Sequence, residues 1–288
     1  MKFILCSDLH LRVTVPICRK ETEAQWVETQ TKQLSFIAEE AHKRNCGIAM
    51  AGDIYHKPSV PDIMKNIFFS IFEGLSVGIM PGQHDLPNHN YNEIERSSFG
   101  VLWNSGKFQS MCTFGDYILY GEEEITTRKK SNILFLHDLI FENEKSIPPN
   151  VEAKLAQDVL DKYPDYDWIL CGDNHHGFHY KNKGRHLIMS GCINRQAADY
   201  IDYEPCIWFI DTKENIVEKI LMPDDVNMVD TSHIKNKEEK EERVSAFVTS
   251  IKENKGVSLD FEENVRNSLL SKDIEDGVKI TVRELMED

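Results

Sequence analysis

The chain has 288 residues, 41% of them hydrophobic, and a formal net charge of −15 at pH 7. That length suits one large domain or a main domain with an appendage, and no apolar run approaches the ~18 residues of a membrane-crossing helix. The acidic balance argues against a surface that coats nucleic acid broadly, though not against a nucleic-acid substrate met at a locally positive site. Seven cysteines, an odd number with no Cys-x-x-Cys pair, argue against a structural zinc site or a disulfide framework and fit a reducing cytoplasm.

Residues 2–6, apolar after Lys2, are followed by Asp8, His10 and Arg12, so the start reads as a core strand rather than a signal peptide. Trp26, Leu34, Ile37, Ala38 and Ala41 recur at helical spacing and predict a helix over 22–44, ended by Asn45 and Gly47. A strand over 47–51 leads into Gly52-Asp53; Pro58 and Pro61 then open a helix running to about 75. A third strand over 77–80 leads into Gly82-Gln83-His84-Asp85, and the polar loop 86–95 is a candidate substrate rim. A short helix is expected near 97–104, strand-like pieces around 113–120 and 133–136, a helix over 151–162 and a strand over 168–171. This alternation of strand and helix predicts a layered α/β fold. From 178 to 222 the pattern is all strand and suggests a second, antiparallel sheet packed on the first.

Past Asp224 the chain becomes strongly charged, and helical periodicity resumes at Val244, Phe247, Val248 and Ile251, then at Phe261, Val265, Leu269 and Leu270. The expected division is a main domain over 1–223, a charged linker over 224–243 and a C-terminal appendage over 244–288.

Five apolar runs end in polar clusters: Asp8 and His10; Gly52-Asp53; Gln83, His84 and Asp85; His137-Asp138; and Asp173, Asn174, His175 and His176. Carboxylate, amide and imidazole form the donor set of divalent ions such as manganese or iron. Strands of an open α/β sheet bring their carboxyl ends to one edge, where such folds place their sites. Asp8 and His10, two apart, would point to one side of an extended backbone, and Asp173 and His175 share that offset. Singly, a strand-end Asp is more often a helix cap and a lone His a loop residue. Five such placements together favour a metal site. Cys6 and Cys171 precede ligand candidates within strands and read as buried apolar side chains.

The pattern Asp-x-His, Gly-Asp, Gly-Gln-His-Asp, His and Gly-Asp-x-His resembles that of the calcineurin-like metallophosphoesterase superfamily. Gly52-Asp-Ile-Tyr-His56 with Pro58, and Ser190-Gly-Cys-Ile-Asn-Arg195-Gln, are similar to the SbcD-like DNA-repair exonucleases of bacteria and phages. The likeness covers about residues 1–210. It implies an α/β fold in the form of a four-layer α/β/β/α sandwich, here with a small C-terminal helical or α+β appendage. It also implies two divalent ions, usually manganese, with magnesium or iron(II) as alternatives. Carried over, Asp8, His10, Asp53 and His175 would hold one ion; Asp53 would bridge to a second, held by Gln83, His137 and Asp173. His84 and His56 would be catalytic and Arg195 substrate-binding. Gln83 stands where the family has Asn and Asp173 where it has His, and a register using His176 instead of His175 stays open.

What the resemblance implies is a metal-dependent phosphodiesterase of the cytoplasm, most concretely a DNA exo- or endonuclease, with an SbcC-like ATPase or a second copy of the chain as partner and no membrane. The alternatives are a stand-alone phosphatase or phosphodiesterase acting on nucleotides or phosphoproteins, and a catalytically impaired scaffold subunit. Two ions would add positive charge at the site, and Arg128-Lys129-Lys130 and the 181–185 cluster could guide a backbone.

Overall fold

The structure is a computed structural model describing residues 1–118, 131–230, 232, 243–246, 261–270 and 274–287. Arg128-Lys129-Lys130, most of the 224–243 charged run, and Phe247, Val248 and Ile251 lie outside the described residues.

In chain order the elements are β1 (Lys2–Cys6), α1 (Glu23–Arg44), β2 (Gly47–Ala51), α2 (Asp62–Phe72), β3 (Val77–Met80), α3 (Ser98–Asn104), β4 (Gln109–Ser110) and β5 (Asp116–Tyr117). There follow β6 (Ile133–Asp138), β7 (Ile140–Phe141), β8 (Lys154–Leu155), α4 (Ala156–Lys162), β9 (Trp168–Asp173), β10 (Phe178–Asn182), β11 (Arg185–Met189), β12 (Cys206–Asp211) and β13 (Ile216–Leu221). One sheet has six strands in the order β13-β12-β1-β2-β3-β4 and another five in the order β10-β11-β9-β6-β5.

Side-chain alternation along the strands builds the layers. Ile4 and Cys6 of β1, with Ile48 and Met50 of β2, face a core shared with Leu34 and Ile37 of α1 and Phe68 and Phe72 of α2. The intervening Phe3, Leu5, Ala49 and Ala51 face a second core with Ile133, Phe135, Trp168 and Leu170 of the other sheet. Leu134, Leu136, Ile169 and Cys171 turn the opposite way, onto Val159 and Leu160 of α4. The result is helix, sheet, sheet, helix: a four-layer α/β/β/α sandwich.

Helix α1 starts where Thr22 and Gln25 form a reciprocal capping box and stops at Asn45, whose left-handed backbone caps it. Two expectations give way. The strands between 178 and 222 make no sheet of their own: β11 pairs parallel to β9, and β12 pairs antiparallel to β1. Each thereby covers a strand edge that would otherwise stand open. The helix expected over 151–162 begins at Ala156, because Lys154 and Leu155 are drawn out to pair with Ile140 and Phe141.

The chain divides into two compact units, Met1–Val229 and Asp230–Asp288. The boundary falls later than residue 223 because the intervening stretch is bound to the first unit: Lys20 N–H donates to Met228 O at 3.0 Å, and Asp224 is buried between two arginines. The second unit contains helices Phe261–Ser268 and Asp276–Glu287, with Val265 and Leu269 buried. No described helix is long and apolar enough to cross a membrane.

Candidate metal centre

The loops that follow β1 and β2 are laced together. Asp8 N–H donates to Gly52 O (3.1 Å), His10 N–H to Asp53 O (3.0 Å), Leu11 N–H to Ile54 O (2.9 Å) and His56 N–H to Leu11 O (3.2 Å). Asp8, His10, Asp53 and Asp173 all have positive φ, of 53°, 46°, 53° and 95°. Such backbone costs about 1–3 kcal/mol per residue and persists only where the surroundings enforce it. The expected mechanism, an extended chain aiming Asp8 and His10 to one side, is therefore replaced: β1 ends at Cys6, and left-handed turns aim both residues. Two glycines make the close approach feasible. A Cβ on Gly52, whose φ is +98°, would lie 2.2 Å from His137 Nδ1, and one on Gly82 would lie 2.2 Å from Asp53 Oδ1.

Each carboxylate spends one oxygen on being held and presents the other. Asp8 Oδ2 accepts from Ser7 Oγ and from Asp173 N–H, while Oδ1 is buried with no hydrogen-bond partner among the described residues. Asp53 Oδ1 accepts from His84 N–H at 2.9 Å, while Oδ2 faces His137 Nε2 at 3.4 Å and His10 Nε2 at 3.8 Å. Gln83 follows the same rule: its amide nitrogen donates to Asp173 Oδ1 at 2.5 Å, and its buried Oε1 has no partner among the described residues. The two positions at which the chain departs from the resembled pattern therefore touch one another, the longer amide reaching the shorter acid.

The imidazoles close the cluster. His137 Nδ1–H donates to Ala51 O at 2.7 Å, which fixes the tautomer and leaves Nε2 toward Asp53. His175 Nε2 lies 3.1 Å from His10 Nε2 and 3.7 Å from Asp8 Oδ1. His176 instead packs its ring on Tyr200 and Tyr203, each 5.0 Å away, so of the two registers the geometry brings His175 to the cluster. Asp8, His10 and His175 form one set of mutually close donor atoms, and Asp8, Asp53 and His137 another. His84 stacks edge-on to His10 at 4.8 Å and donates Nδ1–H to His56 O at 3.1 Å; His56 lies parallel to His84 at 5.7 Å.

Charge follows from this packing. Burial opposes ionisation of Asp53, yet His137, His10 and His84 hold its carboxyl well below the usual range. Burial, reinforced by Asp53, raises Asp8. Burial pushes His10 well down, whereas Asp53 overcomes burial at His137 and lifts it to about 10. Burial and the Arg12 guanidinium push His56 down to about 4. Burial likewise pushes the Cys171 thiol well up, as befits an inert core residue.

The sequence pattern assigns no role to Asp85 or Arg12. The buried Asp85 carboxylate accepts from Ile54 N–H (3.1 Å), Tyr55 N–H (2.8 Å) and Gly82 N–H (3.0 Å), pinning the Asp53 loop to the Gln83 loop. Burial, then the facing Asp53, raises Asp85 to about 7 against the pull of those donors. A carboxylate one residue past a candidate catalytic His was the available signal. Arg12 donates Nη1–H to His56 Nε2 at 2.9 Å. Arg195 is placed otherwise than expected of a substrate-binding residue: it is 7% exposed and donates to Asp224 Oδ2 (2.9 Å), Tyr200 O and Ile201 O (both 3.2 Å). Arg185 of the 181–185 cluster is likewise turned inward, donating to the carbonyls of Leu160, Tyr163 and Tyr166 at the end of α4.

The donors fit divalent cations. Buried oxygens of Asp8 and Gln83 without partners among the described residues call for a positive charge, and the His10 and His175 ring nitrogens converge to 3.1 Å beside Asp8 Oδ1. Mixed oxygen and imidazole donors suit manganese, iron(II) or zinc.

No family model matches the chain. An uncharacterized protein of Acanthamoeba polyphaga mimivirus is 22% identical over 224 residues, 66% of this chain and 16% of that protein, so the chain spans less than a fifth of this relative's length. Among solved structures, the chain is similar to an archaeal phosphodiesterase at 16% identity over 77% of this chain and 100% of that one, with a TM-score of 0.39. It is also similar to zinc-complexed Vps29 from Entamoeba histolytica at 10% identity over 77% and 99%, with a TM-score of 0.35.

Proposed function

We propose that the chain is a metal-dependent phosphodiesterase that hydrolyses DNA, working beside an SbcC-like ATPase. The observation that carries this reading is the position of Asp53, whose Oδ2 lies 3.8 Å from His10 Nε2 and 3.4 Å from His137 Nε2 and would serve as the carboxylate common to two cations. Asp8, His10 and His175 would hold one ion, and His137, Gln83 and Asp173 the other. Two such ions, when bound, supply Lewis acidity to the phosphoryl group and acidify an attacking water. The chain's own residues do the rest. His84, its Nδ1–H committed to His56 O, turns Nε2 away from that bond, and as the imidazolium it would give its Nε2 proton to the departing sugar oxygen and keep the one on Nδ1. His56 lines the approach beside it. Asp85 keeps the two loops in register while charge develops. The resembled SbcD-like motifs direct the reading to DNA, and the unit beyond residue 230 is the segment proposed to dock the ATPase. The net charge of −15 favours, as a second reading, a phosphatase acting on small phosphoesters.

The test is hydrolysis of labelled linear DNA by the purified chain in manganese. Degradation abolished by Asp53→Asn and by His84→Ala, with both variants folded, is the expected result. Turnover of small phosphoesters with DNA left intact would transfer the reading to a phosphatase. Absence of any turnover, with one ion bound, would make the chain a scaffold subunit.

A further inference from the structure

Within the Met1–Val229 unit the described arginines are spoken for, with one exception. Arg19, Arg44, Arg96 and Arg195 each bond a carboxylate, and Arg185 bonds three carbonyls. Arg12 has an imidazole instead: Nη1–H donates to His56 Nε2 at 2.9 Å, and its buried Nε has no partner among the described residues. A half-buried guanidinium with no carboxylate paired to it among the described residues is an unbalanced charge, and planar guanidinium donors match phosphate oxygens well. Nor is the position loose. Arg12 N–H donates to Gln30 Oε1 at 3.0 Å and Gln30 Nε2–H returns to Arg12 O at 2.7 Å, so α1 clamps the backbone. The guanidinium therefore stands one ring away from the metal cluster, since the His56 and His10 rings are 5.6 Å apart. The exposed Lys57, next in sequence to His56, adds a second cation to that rim.

We propose that Arg12 binds a second phosphate of the substrate, so that the site selects phosphodiesters carrying another phosphate beside the scissile one over isolated phosphoesters. This rests on the phosphodiesterase reading and narrows its substrate class. The second phosphate has two sources, the next internal phosphodiester of a chain or a terminal phosphomonoester.

The experiment compares wild type, Arg12→Gln and Arg12→Lys on three substrates: bis(p-nitrophenyl) phosphate, an oligonucleotide without terminal phosphate, and a 5′-phosphorylated dinucleotide. The expected result for Arg12→Gln is a KM raised about tenfold on whichever phosphate-bearing substrate is used, as for loss of one charge-assisted contact. Its kcat/KM on bis(p-nitrophenyl) phosphate should stay within about twofold of wild type, which also reports a folded site, and Arg12→Lys should recover part of the loss. An effect confined to the oligonucleotide assigns the internal source, and one confined to the dinucleotide the terminal source. Equal losses on all three substrates would show that Arg12 merely supports His56, and no loss on any would show an idle surface charge; either overturns the proposal. If wild type turns over none of them, the phosphodiesterase reading falls, and oligonucleotide binding against salt still decides on Arg12. A log–log slope shallower by about one in Arg12→Gln supports the contact; an unchanged slope, or no binding by wild type, refutes it.

Discussion

Two buried polar clusters of the first unit differ in one respect that separates scaffold from site. Around Asp224, Arg19 donates to Asp224 Oδ1 at 3.0 Å and to Glu21 at 2.5 Å, and Arg195 donates to Asp224 Oδ2 at 2.9 Å. Every charge there meets its opposite within the protein. Around Asp53 the balance is broken: Asp8 Oδ1 and Gln83 Oε1 are buried and unpartnered among the described residues, and Asp8, His10, Asp53 and Asp173 are held in left-handed turns. A closed network holds loops together; an open one waits for a ligand. Both clusters contain acids and bases from distant parts of the chain, so residue type alone does not distinguish them. The accounting of lone pairs does.

Mutation should separate the two in opposite ways. Asp53→Asn is expected to lower hydrolysis about 1000-fold, the scale of losing a principal electrostatic group of an active site, while its far-UV circular dichroism stays that of wild type. Asp224→Ala should do the reverse, lowering unfolding stability in urea by about 3 kcal/mol because Arg195 is left buried without its counter-charge while Arg19 keeps only Glu21. Manganese at a hundredfold excess over its Kd should stabilise wild type by about 2.7 kcal/mol in thermal melts, reversibly with EDTA, and should do nothing for Asp53→Asn. Asp85→Asn sits between the classes: an amide NH2 would confront backbone donors, and metal affinity measured by titration should fall about 10–100-fold.

The smallest effect lies far from both clusters. His186 is 1% exposed, stacked on Trp168 at 4.1 Å, and burial, with His179 and Lys181, lowers it to about 4. A histidine kept neutral by the fold binds its proton more readily when unfolded, so its contribution is complete above about 6.5 and is lost as pH falls toward 4. Melts between pH 7 and 4 should show a loss of stability that is absent in His186→Gln.

What the sequence made legible was local. The strand runs over 2–6, 47–51 and 77–80 stand as expected because each is apolar, apart from Lys2 at its edge, and leads into a polar cluster. The candidate ligands were visible for the same reason, sitting immediately after those runs. Pairing was less legible. A β-rich stretch such as 178–222 carries no mark of which sheet it will enter, and its strands went to both. Asp85 escaped because its partners are backbone N–H groups, identical in every residue, on loops some thirty positions away. Arg195 lay in a motif similar to a nuclease segment, but its partner Asp224 lay in a stretch that read as linker, so the buried pair could not be foreseen.

Anomalous diffraction from crystals of the full chain soaked in manganese tests the central claim most directly. Two peaks flanking Asp53, one within reach of Asp8, His10 and His175 and one within reach of His137, Gln83 and Asp173, are the result expected. An absence of peaks beside Asp53, or manganese bound only elsewhere on the molecule, would contradict it.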